Sequence, residues 1–127
     1  MHMNSVIQRA AELHAPGPEH KNCCQAVLGA VAPAAGLEEE TALKIGTCFG
    51  AGMMRGEVCG ALSAALMYLG LKYGNTPETK ALGRDFQTHF EQTFGSLLCR
   101  EIRDLKIGRK DCDALVRKVA EMLTEIE

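Results

Sequence analysis

Apolar residues recur at helical spacing along most of the chain, and no alternating apolar and polar run of useful length appears. Met3, Val6, Ile7, Ala10 and Leu13 form a first stripe that stops at Pro16-Gly17-Pro18. A second helix is predicted from Glu19. It carries Cys23, Val27 and Ala30 on one side and Cys24, Leu28 and Val31 on the other until Pro33 breaks it. Both faces are apolar, so this helix should be buried. Glu38, Glu39 and Glu40 open a short third helix through Leu43 and Ile45. Gly46, Gly50, Gly52, Gly56 and Gly60 then crowd together, which predicts a tight connection or closely packed backbones.

A central buried helix is predicted over 57–73. Its stripe of Val58, Leu62, Ala65, Leu66, Leu69 and Tyr73 is joined by Ala61, Ala64 and Met67 on other faces. Thr76-Pro77 reads as a cap with proline at the first helical position, opening a helix with Leu82, Phe86, Phe90 and Phe94 at i, i+4. A short helix follows from Leu97 to Leu105, and Asp111 caps a last one carrying Leu115, Val116, Val119, Met122, Leu123 and Ile126. The expected fold is all-α: a compact bundle of about six helices around the central one, one domain over 1–127.

Length and charge narrow the function. A chain of 127 residues suits one domain with its own core. Fourteen Lys plus Arg against sixteen Asp plus Glu give a formal charge of −2 and no basic field for a phosphate backbone, so nucleic acid is not an expected partner. The longest uncharged runs, Asn22 to Leu37 and Val58 to Leu71, fall short of the ~18 residues that span a bilayer, so no membrane insertion is expected. Met1 to Ala15 holds Gln8, Arg9, Glu12 and two histidines in place of an apolar signal core, which points to a reducing cytoplasm. Helices this apolar in so short a chain also suggest a homodimer.

Sulfur changes the picture most. Six cysteines in a cytoplasmic chain point to metals or redox chemistry more than to structural disulfides. Cys23, Cys59, Cys99 and Cys112 each fall at a predicted helix start, where unpaired N–H groups and the helix dipole favour the thiolate. No CxxC, CxC or CxxCH occurs, so a shared site must be assembled by the fold from distant segments. Cys24 neighbours Cys23 as a spectator, Cys48 reads as core, and Met53-Met54 is expected to pack from a loop into the core. His14, His20 and His89 are weaker candidate ligands; cap or surface roles are expected for His14 and His20. Gly50 to Gly56 matches a loose GxGxxxG, but no strand precedes it, so close packing is expected there and a dinucleotide turn is not.

Several segments together resemble one family. They are Asn22-Cys23-Cys24-Gln25-Ala26-Val27-Leu28, Cys48-Phe49-Gly50-Ala51-Gly52-Met53, Cys59-Gly60-Ala61-Leu62-Ser63-Ala64, and Tyr68-Leu69-Gly70-Leu71-Lys72-Tyr73-Gly74. Phe94-Gly95-Ser96-Leu97-Leu98-Cys99-Arg100-Glu101 and the Cys112 that opens the last helix complete the pattern. From Glu19 onward the chain resembles the C_GCAxxG_C_C family of redox-active proteins. The resemblance implies that the family's four cysteines are Cys23, Cys59, Cys99 and Cys112, with Cys24 and Cys48 outside the set. Ala64 stands where the family usually has glycine. A similar domain in split-Soret cytochromes c accompanies a two-iron, two-sulfur cluster, but their haem-attachment motifs are missing here, so no haem is expected.

Four thiolates meet the ligand demand of an iron–sulfur cluster. The leading expectation is therefore a cluster, [2Fe–2S] ahead of [4Fe–4S], held by Cys23, Cys59, Cys99 and Cys112 and lost on aerobic handling. It would transfer single electrons with a redox partner protein. Two rivals use the same sulfurs. One is a thiol–disulfide protein with a reversible Cys23–Cys59 pair, and the other is a structural zinc module.

Overall fold

The computed structural model describes residues 3–103 and 112–126. Among them the stripes become seven α-helices: α1 (Met3–His14), α2 (Cys23–Val31), α3 (Glu39–Ile45), α4 (Gly60–Tyr73), α5 (Pro77–Phe94), α6 (Cys99–Ile102) and α7 (Cys112–Glu125). The fold is all-α, and the only strand-like pairing among the described residues is an isolated antiparallel bridge between Val58 and Leu98. The expected connection at Gly108 and the Asp111 cap lie outside the described residues.

Helix α2 occupies the middle. Ala26, Val27 and Val31 are wholly buried, and α1, α3, α4 and α7 all pack around this helix. Its start is sharper than the acidic turn at Glu19 suggested. The Asn22 side chain accepts from the Gln25 N–H while the Gln25 side chain accepts from the Asn22 N–H, so two orphan donors of the first turn are satisfied together. Residues 19–21 stay outside the helix because Lys21 donates its N–H back to the Leu13 carbonyl at 2.8 Å and His20 donates to that of Gly17. Cys23 is thereby the first residue of α2.

Helix α4, expected over 57–73 as the centre of the bundle, is buried as expected but packs beside α2, and it begins later than its apolar stripe implied. Cys59 donates its N–H to the Leu97 carbonyl and Cys99 donates to that of Glu57, so residues 57–59 run as extended chain beside 97–99. Cys59 becomes the N-cap of α4, and Gly60 the first helical residue. Ala61, Leu62, Ala64 and Ala65 are fully buried, the last of them a close-packed pair of small residues. Helix α5 opens as expected: the Thr76 hydroxyl accepts from the Thr79 N–H ahead of Pro77. Phe86 and Phe90 turn inward while Leu82 and Phe94 are half-buried, and the helix packs on α4.

Two expectations about sulfur are overturned. Cys48 ends a short 3-10 turn (Gly46–Cys48) and is exposed; Gly46 takes the buried position of that turn, where an added Cβ would meet the Gln25 backbone at 3.1 Å. Met53 and Met54 are 46% and 67% exposed instead of packing into the core. The backbone beneath them explains this, as described below. No helix among the described residues is long and apolar enough to cross a membrane.

Candidate redox site

The four helix-start cysteines converge. Cys23 opens α2, Cys59 caps α4, Cys99 opens α6 and Cys112 opens α7. Cys23, Cys99 and Cys112 line one cavity of about 390 Å³, together with His14, His20, Asn22, Ala51 and Arg103. Cys59, 5% exposed, sits behind Cys23 and shares a hydrogen bond with it. Cys24 points the other way into the core, wholly buried, and Cys48 is exposed away from the cavity lining. All six are free thiols. A second cavity of similar size, between α4 and α5, gathers no thiol, imidazole or carboxylate.

Electrostatics divides the thiols sharply. The S–H of Cys59 donates to Cys23, and backbone N–H groups of Ala51 and Ala61 also donate to the Cys23 sulfur; with His14 nearby, these draw its pKa down from 9.0 to about 6 against the cost of burial. Of the two sulfurs, Cys23 is the one that more readily carries the negative charge. Cys59 moves the opposite way, because its proton is held in the bond to Cys23 and its site is buried. Burial, then the neighbouring Cys23 charge, raises Cys99, with Arg103 opposing the shift through a hydrogen bond. Cys112 is raised by burial and by Cys23 and Cys99, again with Arg103 opposing. Cys24 is pushed up to about 12 by burial, which leaves it an inert core thiol.

Backbone geometry brings the donors to the sulfur. Ala51, Gly52, Met53 and Met54 all have φ between 53° and 64°, a left-handed turn that three non-glycine residues adopt at a cost. This turn aims the Ala51 N–H at Cys23, and it leaves the two methionine side chains outside. A Cβ on Gly52 would stand 2.8 Å from the Cys99 Cβ and 2.5 Å from the Glu57 backbone. A Cβ on Gly60 would meet the Cys23 sulfur at 2.7 Å and the Phe49 carbonyl at 2.5 Å. These two glycines are where α4 and the left-handed turn close on the sulfurs. The glycine density in the sequence signalled close approach; the left-handed alanine and methionines gave no such signal.

The rim was also hidden in the sequence. His14 is only 11% exposed at its side chain and donates from Nδ1 to the carboxylate of Asp113, a partner 99 positions away. Its expected cap or surface role is therefore corrected: the side chain is a partly buried wall of the cavity. Arg103 is a second wall residue that no sequence feature singled out. Among the described residues, no three His, Cys, Asp or Glu side chains are grouped as a single metal ion would require.

The chain is thus an all-α protein in which three helix-start cysteines line one cavity and a fourth, Cys59, sits behind Cys23. Over residues 21–126 the chain matches the family described as "Putative redox-active protein (C_GCAxxG_C_C)", and it belongs to that family. No curated protein and no solved structure shows significant similarity to it.

Proposed function

We propose that the chain is a redox protein in which Cys23, Cys59, Cys99 and Cys112 hold an iron–sulfur cluster, [2Fe–2S] rather than [4Fe–4S]. The observation that carries this reading is selective convergence: Cys23, Cys99 and Cys112 line one cavity, Cys59 is hydrogen-bonded to Cys23 behind it, and Cys24 and Cys48 are not part of the lining. The donor set fits, because all four thiols are free and a cluster takes four cysteine ligands. When bound, such a cluster supplies one-electron exchange with a partner protein.

The chain's own residues set the conditions for that exchange. Cys23 is the thiol whose ionisation its surroundings favour, so it is the natural first ligand. The N–H groups of Ala51 and Ala61 hydrogen-bond its sulfur and favour the more electron-rich state, which raises the potential. Burial of Cys59 keeps water from that side.

A second reading has its own support. The hydrogen bond between the Cys23 thiolate and the Cys59 thiol is the asymmetry of a reactive dithiol. In that case Cys23 attacks a partner's disulfide, and Cys59 releases the mixed disulfide as the new Cys23–Cys59 bond forms. Two electrons and the Cys59 proton then pass to the partner, whose second thiolate takes its proton from water. Iron and acid-labile sulfide, measured on protein purified without oxygen, separate the readings. About two of each per chain is expected for the cluster. Absence of both, with a Cys23–Cys59 bridge appearing in oxidised glutathione, would replace it with the dithiol.

A further inference from the structure

Helix α1 and the segment up to His20 precede residue 21, where the family match begins, yet they supply two walls of the cavity. Their side chains form a continuous clasp. His20 donates from Nδ1 to the carbonyl of His14 at 2.7 Å, capping the open end of α1, and its ring lies 4.9 Å from that of His14. His14 in turn donates to Asp113, in the first turn of α7. Asp113 follows Cys112 directly, so a bond that fixes one fixes the backbone of the other.

We infer that His14 is a positioning residue of the redox site, holding the start of α7 through Asp113 so that Cys112 faces Cys23 and Cys99. The inference rests on the reading that these cysteines form one site. Three observations support it. The His14 side chain is nearly buried while Asp113 is 42% exposed, so the contact draws a surface carboxylate onto a fixed wall. The clasp crosses from α1 to α7, elements that pack along each other. His14 and Cys112 line the same cavity, and Asp113 stands beside Cys112 in the first turn of α7, so the contact acts next to the sulfur it is inferred to place.

The test uses metal-free, fully reduced protein and iodoacetamide, with alkylation followed cysteine by cysteine by mass spectrometry. Rates are taken at the high-pH plateau, so ionisation drops out, and are scaled to exposed Cys48. His14→Leu and Asp113→Ala should each raise the Cys112 rate about fivefold while Cys24 stays protected. His14→Gln keeps a donor and should return the rate to within about twofold of the native one. The double variant should match the larger single change, because both remove one bond. Unchanged Cys112 in Asp113→Ala, a His14→Gln as reactive as His14→Leu, or additive effects would each overturn the inference. If His14→Leu fails to fold, Asp113→Ala decides alone, its side chain being the more exposed of the pair. Iron plays no part in this assay, so a site that proves to hold no cluster leaves the result standing on its own.

Discussion

Cys23 is where sequence, field and geometry meet. Its thiolate depends first on the Cys59 proton and then on two backbone donors. Alkylation of Cys23 should therefore rise with pH around a midpoint near 6 and fall away below it, the thiolate being the reactive form. Replacing Cys59 by Ala removes the strongest donor and should move that midpoint up by about one unit or more. Unchanged titration in the variant would show that the contact does not set the charge. Gly60→Ala makes a different demand, since the new methyl meets both the Cys23 sulfur and the Phe49 carbonyl. It should cost about 2–3 kcal/mol in urea unfolding and shift the Cys23 titration as well. At this scale the helix-start placement of Cys23, Cys59, Cys99 and Cys112 was legible in the sequence, because helix starts leave local marks. Arg103 and the His14–Asp113 contact were not, because long-range partners leave none.

Among the elements, the left-handed turn at 51–54 is the least expected. Left-handed backbone is unfavourable for any residue with a Cβ, and Ala51, Met53 and Met54 keep it only because the flanking chain is fixed: Glu57 donates to the Gly52 carbonyl, and Gly52 is wedged against Cys99. Met54→Gly should relieve part of that strain and stabilise the fold by about 0.5–1 kcal/mol, read as a higher urea midpoint with unchanged slope. A lower midpoint would mean that the methionine contributes packing that its exposure does not suggest. Helix existence was legible from periodicity in nearly every case. Two starts were not. α2 begins at Cys23 because the Asn22 and Gln25 box outweighs the acids at Glu19, and α4 begins at Gly60 because residues 57–59 pair with 97–99 across the fold.

The whole molecule separates its stability from its chemistry. Helix α5 packs on α4, away from the cavity, and Phe90 is fully buried there beside Phe94. Phe90→Ala should therefore cost about 3–5 kcal/mol and leave the Cys23 titration where it is. A shifted titration would mean that α4 transmits the loss to its N-cap. The all-α class and the burial of α2 and α4 were readable from apolar patterning, and the family from the residues around the cysteines. The gathering of four sulfurs was not, because no pair of them is close in sequence and only the crossing of α2, α4, α6 and α7 brings them together. That gathering is the central claim, and a series of single Cys→Ser variants tests it most directly. Each is purified without oxygen and assayed for iron and sulfide per chain. Loss of most of both from Cys23→Ser, Cys59→Ser, Cys99→Ser and Cys112→Ser, with native content in Cys24→Ser and Cys48→Ser, is the predicted result. Equal content in all six variants, or loss confined to Cys24 or Cys48, would contradict a site built on those four.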